Sequence, residues 1–203
     1  MFFCPTCIWI EFNIVKQLEI QSPKIQIMEK VLDLDNEAEN ELRRSDLVDR
    51  YKLLTTTAKK ALDEVTALTR QIFNVPIAMV CFVDLHQVFV QSSSTGEIPK
   101  PANRTTTLCS RAVRNPNVTV IKDKDMEDYL LANPVIAREQ GLEFYAAAPL
   151  ITAEGLNIGT ICLLDTKNRH FSEEDKSILT GFSRVIMSAL EICHSSISGF
   201  NLS

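Results

Sequence analysis

Two nearly unbroken apolar runs, 144–151 (FYAAAPLI) and 158–164 (IGTICLL), flank a polar link at 152–157 that contains Gly155. Runs of this kind predict strands covered on both faces. The short link, with a glycine free to take positive φ, predicts that the two strands form a hairpin. A third run, 76–84 (PIAMVCFVD), predicts another central strand, followed by a turn at 84–87 and a weaker strand at 88–92. A fourth, short strand is expected at 118–121, and 93–107 reads as a polar loop with Gly96, Pro99 and Pro101.

Helical spacing governs the two flanks. Ala58, Ala61, Leu62, Val65, Leu68, Ile72 and Phe73 recur at three and four residues. They predict an amphipathic helix that Thr55, Thr56 and Thr57 can cap and Asn74 stops. The charge-rich stretch 36–51 predicts a separate, mostly solvated helix. At the other end, Ser172 with Asp175 three residues on forms a capping box, and acids fill the first turn. An apolar stripe from Ile178 to Cys193 follows. A short helix is expected at 108–115, ended by Asn115-Pro116, and 122–141 is a long excursion with a turn or two of helix.

Strands joined by short turns, with helices gathered at the ends, predict an α+β fold: a central antiparallel β-sheet whose terminal helices pack on one face. Pro149 lies inside a strand that otherwise reads as central, so a bulge or local edge is expected beside it. Ala146, Ala147 and Ala148 leave room next to the sheet. A helix side chain filling that room is favoured over a pocket floor roofed by 122–141.

Composition changes this picture little. The 203 residues carry a net charge of −5, with a pI near 5.3, and no basic stripe points to nucleic acid. The adjacent pairs Arg43-Arg44 and Lys59-Lys60 read as solvated helix faces. No apolar run is long enough for a bilayer, and the N-terminal MFFCPTCIWIEF is broken by Pro5, closed by Glu11 and lacks a basic start. A cytoplasmic protein with reduced thiols is expected. Of six cysteines, Cys81 and Cys162 lie in strands and Cys193 ends a helix. Cys4-x-x-Cys7 has no second pair at zinc-site spacing, so no metal is assigned to it. Cys81, Cys109 and Cys162 are far apart in the chain and are read as unpaired, and no catalytic constellation is found. Asp123, Asp125, Glu127 and Asp128 read as a solvated loop, and Gly155 and Gly159 as turn glycines.

PIAMVCFVD, the segment 125–136 (DMEDYLLANPVI), FYAAAPL, IGTICLLD and FSEEDKSIL occur in an order that resembles the GAF domain family, over about residues 40–194. The resemblance implies a tail at 1–35, a GAF domain at 36–195 and a C-terminal tail at 196–203. It implies five or six antiparallel strands, terminal helices that form a homodimer bundle, and a small-molecule pocket on the opposite sheet face under the loops. It implies a regulatory sensor in signal transduction that acts on a partner protein or through rearrangement of the dimer. The pocket lining is expected from Phe89, Leu108, Cys109, Ala112, Phe144 and Ala146. The cyclic-nucleotide signature of the family is absent. The only Cys-His pair, Cys193-His194, lies at the wrong place for a bilin, so no cofactor is named. Two alternatives remain: a ligand-free dimerisation module, and a thiol-dependent enzyme resembling free methionine-(R)-sulfoxide reductases.

Overall fold

A computed structural model describes residues 23–122, 125–126 and 141–200, with side chains described within 37–193. The chain divides into two compact units, Met1–Arg43 and Arg44–Ser203. In the first, the described residues are helical; the sheet and both cores belong to the second. The expected features at Cys4 and Cys7, in residues 1–22 and across most of the 122–141 excursion lie outside the described residues.

Helix α1 runs over Pro23–Phe73, so the two helices expected at 36–51 and 58–73 are one, and the assigned tail is helical from Pro23. The buried stripe Leu47, Val48, Tyr51, Leu54, Ala58 and Leu62 continues at helical spacing straight through the threonines. Thr55 does not cap a new helix. Its hydroxyl donates back to the Lys52 carbonyl at 2.6 Å and lies 3.0 Å from the Gln91 side-chain amide. With no glycine or proline in the interior, nothing breaks the ladder. The helix stops at Asn74, as expected, with Asn74 at φ 48°. The Val75 N–H donates to Arg70 O and the Asn74 N–H to Gln71 O, both at 3.2 Å, which is a Schellman closure. Arg169 then donates to the Phe73 carbonyl at 3.1 Å and to the Asn74 carbonyl, while pairing with Asp165. It pins the helix end to the end of the last strand.

Among the described residues six strands follow: β1 (Ile77–Val83), β2 (Gln87–Ser93), β3 (Ala102–Asn103), β4 (Thr119–Lys122), β5 (Phe144–Ile151) and β6 (Asn157–Asp165). They form one sheet in the order β3-β2-β1-β6-β5-β4, every neighbouring pair antiparallel. A 3-10 turn (Arg104–Thr106) and a short helix α2 (Leu108–Ala112) link β3 to β4. Helix α3 (Glu173–Phe200) closes the chain and runs on into the assigned C-terminal tail. β3 falls in the stretch expected as a loop; its two pairs, Gln87 with Asn103 and Val88 with Ala102, are too few to set an apolar period. The bulge expected near Pro149 falls between Leu150 and Ile151. β4 begins opposite Ala147, so among the described residues no strand pairs with β5 on that side at Pro149, which lacks an N–H.

Gly159 is a strand residue, not a turn residue. A Cβ there would lie 2.1 Å from the Cys81 carbonyl oxygen, so β6 approaches β1 too closely for any side chain. The Ser172 capping box forms as predicted. Ser172 Oγ accepts from the Asp175 N–H at 3.1 Å, and Asp175 Oδ2 accepts from the Ser172 N–H at 2.8 Å.

The sheet separates two cores. On one face, α1 and α3 together cover Ala78, Val80, Phe82, Phe144, Ala146, Ala148, Ile161 and Leu163, with Leu62, Leu179, Ile186 and Leu190 filling the space. On the far face, α2 covers Cys81, Val83, Tyr145, Ala147, Cys162 and Leu164. Arg44, read from sequence as solvated, is buried and donates to the carbonyls of Val83, Asn157 and Asp84. Among the described residues no helix is long and apolar enough to cross a membrane.

Candidate functional site

The far face gathers chemistry that the chain keeps apart. In the β1–β6 pairing, Met79 faces Cys162 and Cys81 faces Thr160, so the two cysteines sit one step diagonal on the same surface. α2 brings Cys109 down onto them. The helix is held by the Ser110 hydroxyl, which donates to the Arg104 carbonyl and sits 2.7 Å from Thr107 Oγ1. Asn157 Nδ2 donates to the Val113 carbonyl at 2.9 Å, tying the end of α2 to the start of β6. The three sulfurs end within 4.8 Å of one another, all buried. On β5, Tyr145 directs its hydroxyl at Cys109 Sγ, 3.5 Å away.

The electrostatics are those of one acceptor among donors. The neighbouring Cys162 and Cys81 thiols lower the pKa of Cys109 well below the usual thiol value; burial opposes them, and the Tyr145 hydroxyl assists. Cys81 and Cys162 are pushed up, first by their bonding to Cys109. Burial, then the neighbouring sulfur charge, pushes Tyr145 up. A thiolate held this way can act as a nucleophile or as a ligand.

The six residues expected to line one pocket divide between the faces. Leu108, Cys109 and Ala112 belong to the far-face cluster. Phe144 and Ala146 belong to the helix-face core. Phe144 stacks on Phe171 with centroids 5.6 Å apart, and Phe89 lies under Lys52 of α1, whose Nζ is 3.5 Å from the ring centroid. These three cannot share a cavity with Cys109. Strands buried on both faces give no cue to parity, so the sequence does not separate Phe144 and Ala146 on one face from Tyr145 and Ala147 on the other. The cysteines read as far apart converge. The signal available was the register of β1 on β6, which sequence spacing does not supply. Of the four acids in the excursion only Asp125 is described, and it is exposed. A separate cavity of about 910 Å³ opens on the helix side, between Lys176, Thr180 and Arg184 of α3 and Pro149 and Ile151 at the end of β5.

Comparison with known proteins places this geometry in a family. Cyclic di-GMP phosphodiesterase PA2567 of Pseudomonas aeruginosa is 32% identical over 158 residues, covering 77% of this chain and 27% of that protein. The chain thus spans about a quarter of that relative. The GAF domain of Acinetobacter phosphoenolpyruvate-protein phosphotransferase superposes with a TM-score of 0.55 at 10% identity, over 78% of this chain and 97% of that one. Free methionine-R-sulfoxide reductase of Neisseria meningitidis, solved in complex with its substrate, gives 0.55 at 15% identity, over 78% and 90%. At these identities the two structures establish a shared fold. The family model of the GAF domain matches residues 57–190, and the chain belongs to the GAF domain family, acting as a sensory, signal-transducing domain.

Proposed function

We propose that this domain senses a small molecule at its far face and passes the result through α1 and α3 to a partner protein or to a second copy of itself. One observation carries the reading: β1 and β6 present Cys81, Thr160 and Cys162 on one side and core contacts to the long helices on the other. A group seated against the thiols bears directly on the strands under the helices. It moves the equilibrium between two states only by preferring one of them. Kinship with part of a cyclic di-GMP phosphodiesterase supports the turnover of that nucleotide as the process under control. The test is thermal unfolding of the chain against a metabolite panel that includes cyclic di-GMP. A ligand at a hundred times its Kd stabilises by about 2.7 kcal/mol, and Tyr145→Phe should reduce that gain. If no compound raises the melting temperature, the domain is a ligand-free dimerisation module, a role supported by the filled space around Ala146 and Ala148.

The convergence of three thiols favours a second reading, reduction of a sulfoxide. The Cys109 thiolate attacks the sulfoxide sulfur, the oxygen passes to cysteine as a sulfenic acid, and a neighbouring thiol condenses with it to a disulfide and water. Loss of methionine sulfoxide reduction in Cys109→Ser supports this; absence of activity in the unaltered chain removes it.

A further inference from the structure

We propose that Cys81, Cys109 and Cys162 form a binding site for one thiophilic d10 cation, Zn(II) or Cu(I). The site builds on reading the far face as the sensing surface and gives that surface a ligand class. Thiolate sulfur selects these ions over the hard cations.

For Cys81 and Cys162, distance separates a shared metal from a direct disulfide. Around a tetrahedral zinc with Zn–S of about 2.3 Å, sulfurs stand roughly 3.8 Å apart. The three sulfurs here are all within 4.8 Å of one another, so closing on an ion asks for a contraction of at most about 1 Å. A disulfide needs about 2.05 Å and Cα atoms no more than about 6.8 Å apart. Cys81 faces Thr160 and Cys162 faces Met79, and diagonal cross-strand partners stand about 7–8 Å apart. The strands therefore hold Cys81 and Cys162 at a separation suited to sharing an ion rather than a bond.

A second, independent feature points into the same space. Thr160 Oγ1 is fully buried and has no hydrogen-bond partner among the described residues, although such groups nearly always find one. It lies on the surface of the cluster, directly across from Cys81. With the Tyr145 hydroxyl on Cys109, it offers the outer hydrogen bonds that orient thiolate ligands. Binding releases to solvent the protons that remain on the thiols and forms three metal–sulfur bonds. Zn(II) leaves one net negative charge on the site and Cu(I) leaves two, for those two hydroxyls to meet. The ligands come from β1, α2 and β6, so no local spacing motif announces them.

The test loads the full, reduced chain anaerobically with Zn(II) or Cu(I) in separate arms, strips loosely held ion with a chelator, and counts metal per chain. Thiols are then alkylated and mapped by mass spectrometry, against the unloaded chain. One retained ion is expected in at least one arm, with Cys81, Cys109 and Cys162 more protected than in the unloaded chain and Cys193 unchanged. The double variant Cys4→Ser, Cys7→Ser should retain the ion. Thr160→Val should weaken binding by about 10-fold, the low end for outer partners, and Cys109→Ser by more. No retained ion in either arm overturns the proposal, as does an ion lost with Cys4 and Cys7, or equal alkylation with and without metal. Should Cys109→Ser fail to fold, the mapping on the unaltered chain still decides. A chain that holds no metal but is stabilised by a metabolite keeps the sensory reading and loses this one.

Discussion

Gly159 is where two backbones come closest. With the Cys81 carbonyl 2.1 Å from the place a methyl would occupy, Gly159→Ala must separate β6 from β1 and should cost about 3 kcal/mol. A fall in the denaturant midpoint with an unchanged slope would show it. Asp84 works through charge. Burial pushes its carboxyl up, but the N–H groups of Gln87 and His86 and the Lys52 ammonium outweigh that and hold its pKa below the ordinary value. The stabilisation is thus complete above the unfolded pKa of about 3.9 and is lost as pH falls through the lower folded value. Asp84→Asn should lower stability at neutral pH and flatten its decline below about pH 4, read from urea midpoints across that range. Neither role was visible in the residue names: Gly159 reads as a turn glycine until its neighbour across the ladder is known.

At the scale of elements, local chemistry was legible wherever it acts within a few residues. Asn74 ends α1 and the Ser172–Asp175 pair starts α3 because both closures involve chain neighbours. The three threonines misled because their preference for caps is weak and the buried stripe on either side of them is strong. The continuity of α1 is testable. Thr56→Pro removes a backbone donor and clashes with the preceding turn, and should destabilise the domain by about 3 kcal/mol. Were a helix to start there instead, proline would be tolerated and the melting temperature would hold. The short α2 was legible as a helix, but its role as the carrier of Cys109 was not, since that depends on which strands it lands upon.

For the whole molecule, the outward side of α3 carries Ile178, Val185 and Ile192 at intervals of seven, at 38%, 51% and 67% exposure. Exposed Gly181 and Ser188 fall between them. Residues seven apart share one face of a helix, and the small residues between them permit close approach, which fits the proposed pairing with a second copy of the chain. Val185→Glu should shift sedimentation toward monomer while leaving the unfolding transition in place. A dimer unaffected by the change would place the contact elsewhere.

What the amino-acid order determined by itself was the central strands, the last helix, the antiparallel pairing and the family, because periodicity, caps and turn chemistry all act over short separations. What only the tertiary structure decided was which side of the sheet each buried residue occupies, and with it the meeting of Cys81, Cys109 and Cys162. Strands covered on both faces look the same from either side, and only register and the landing place of α2 break that symmetry.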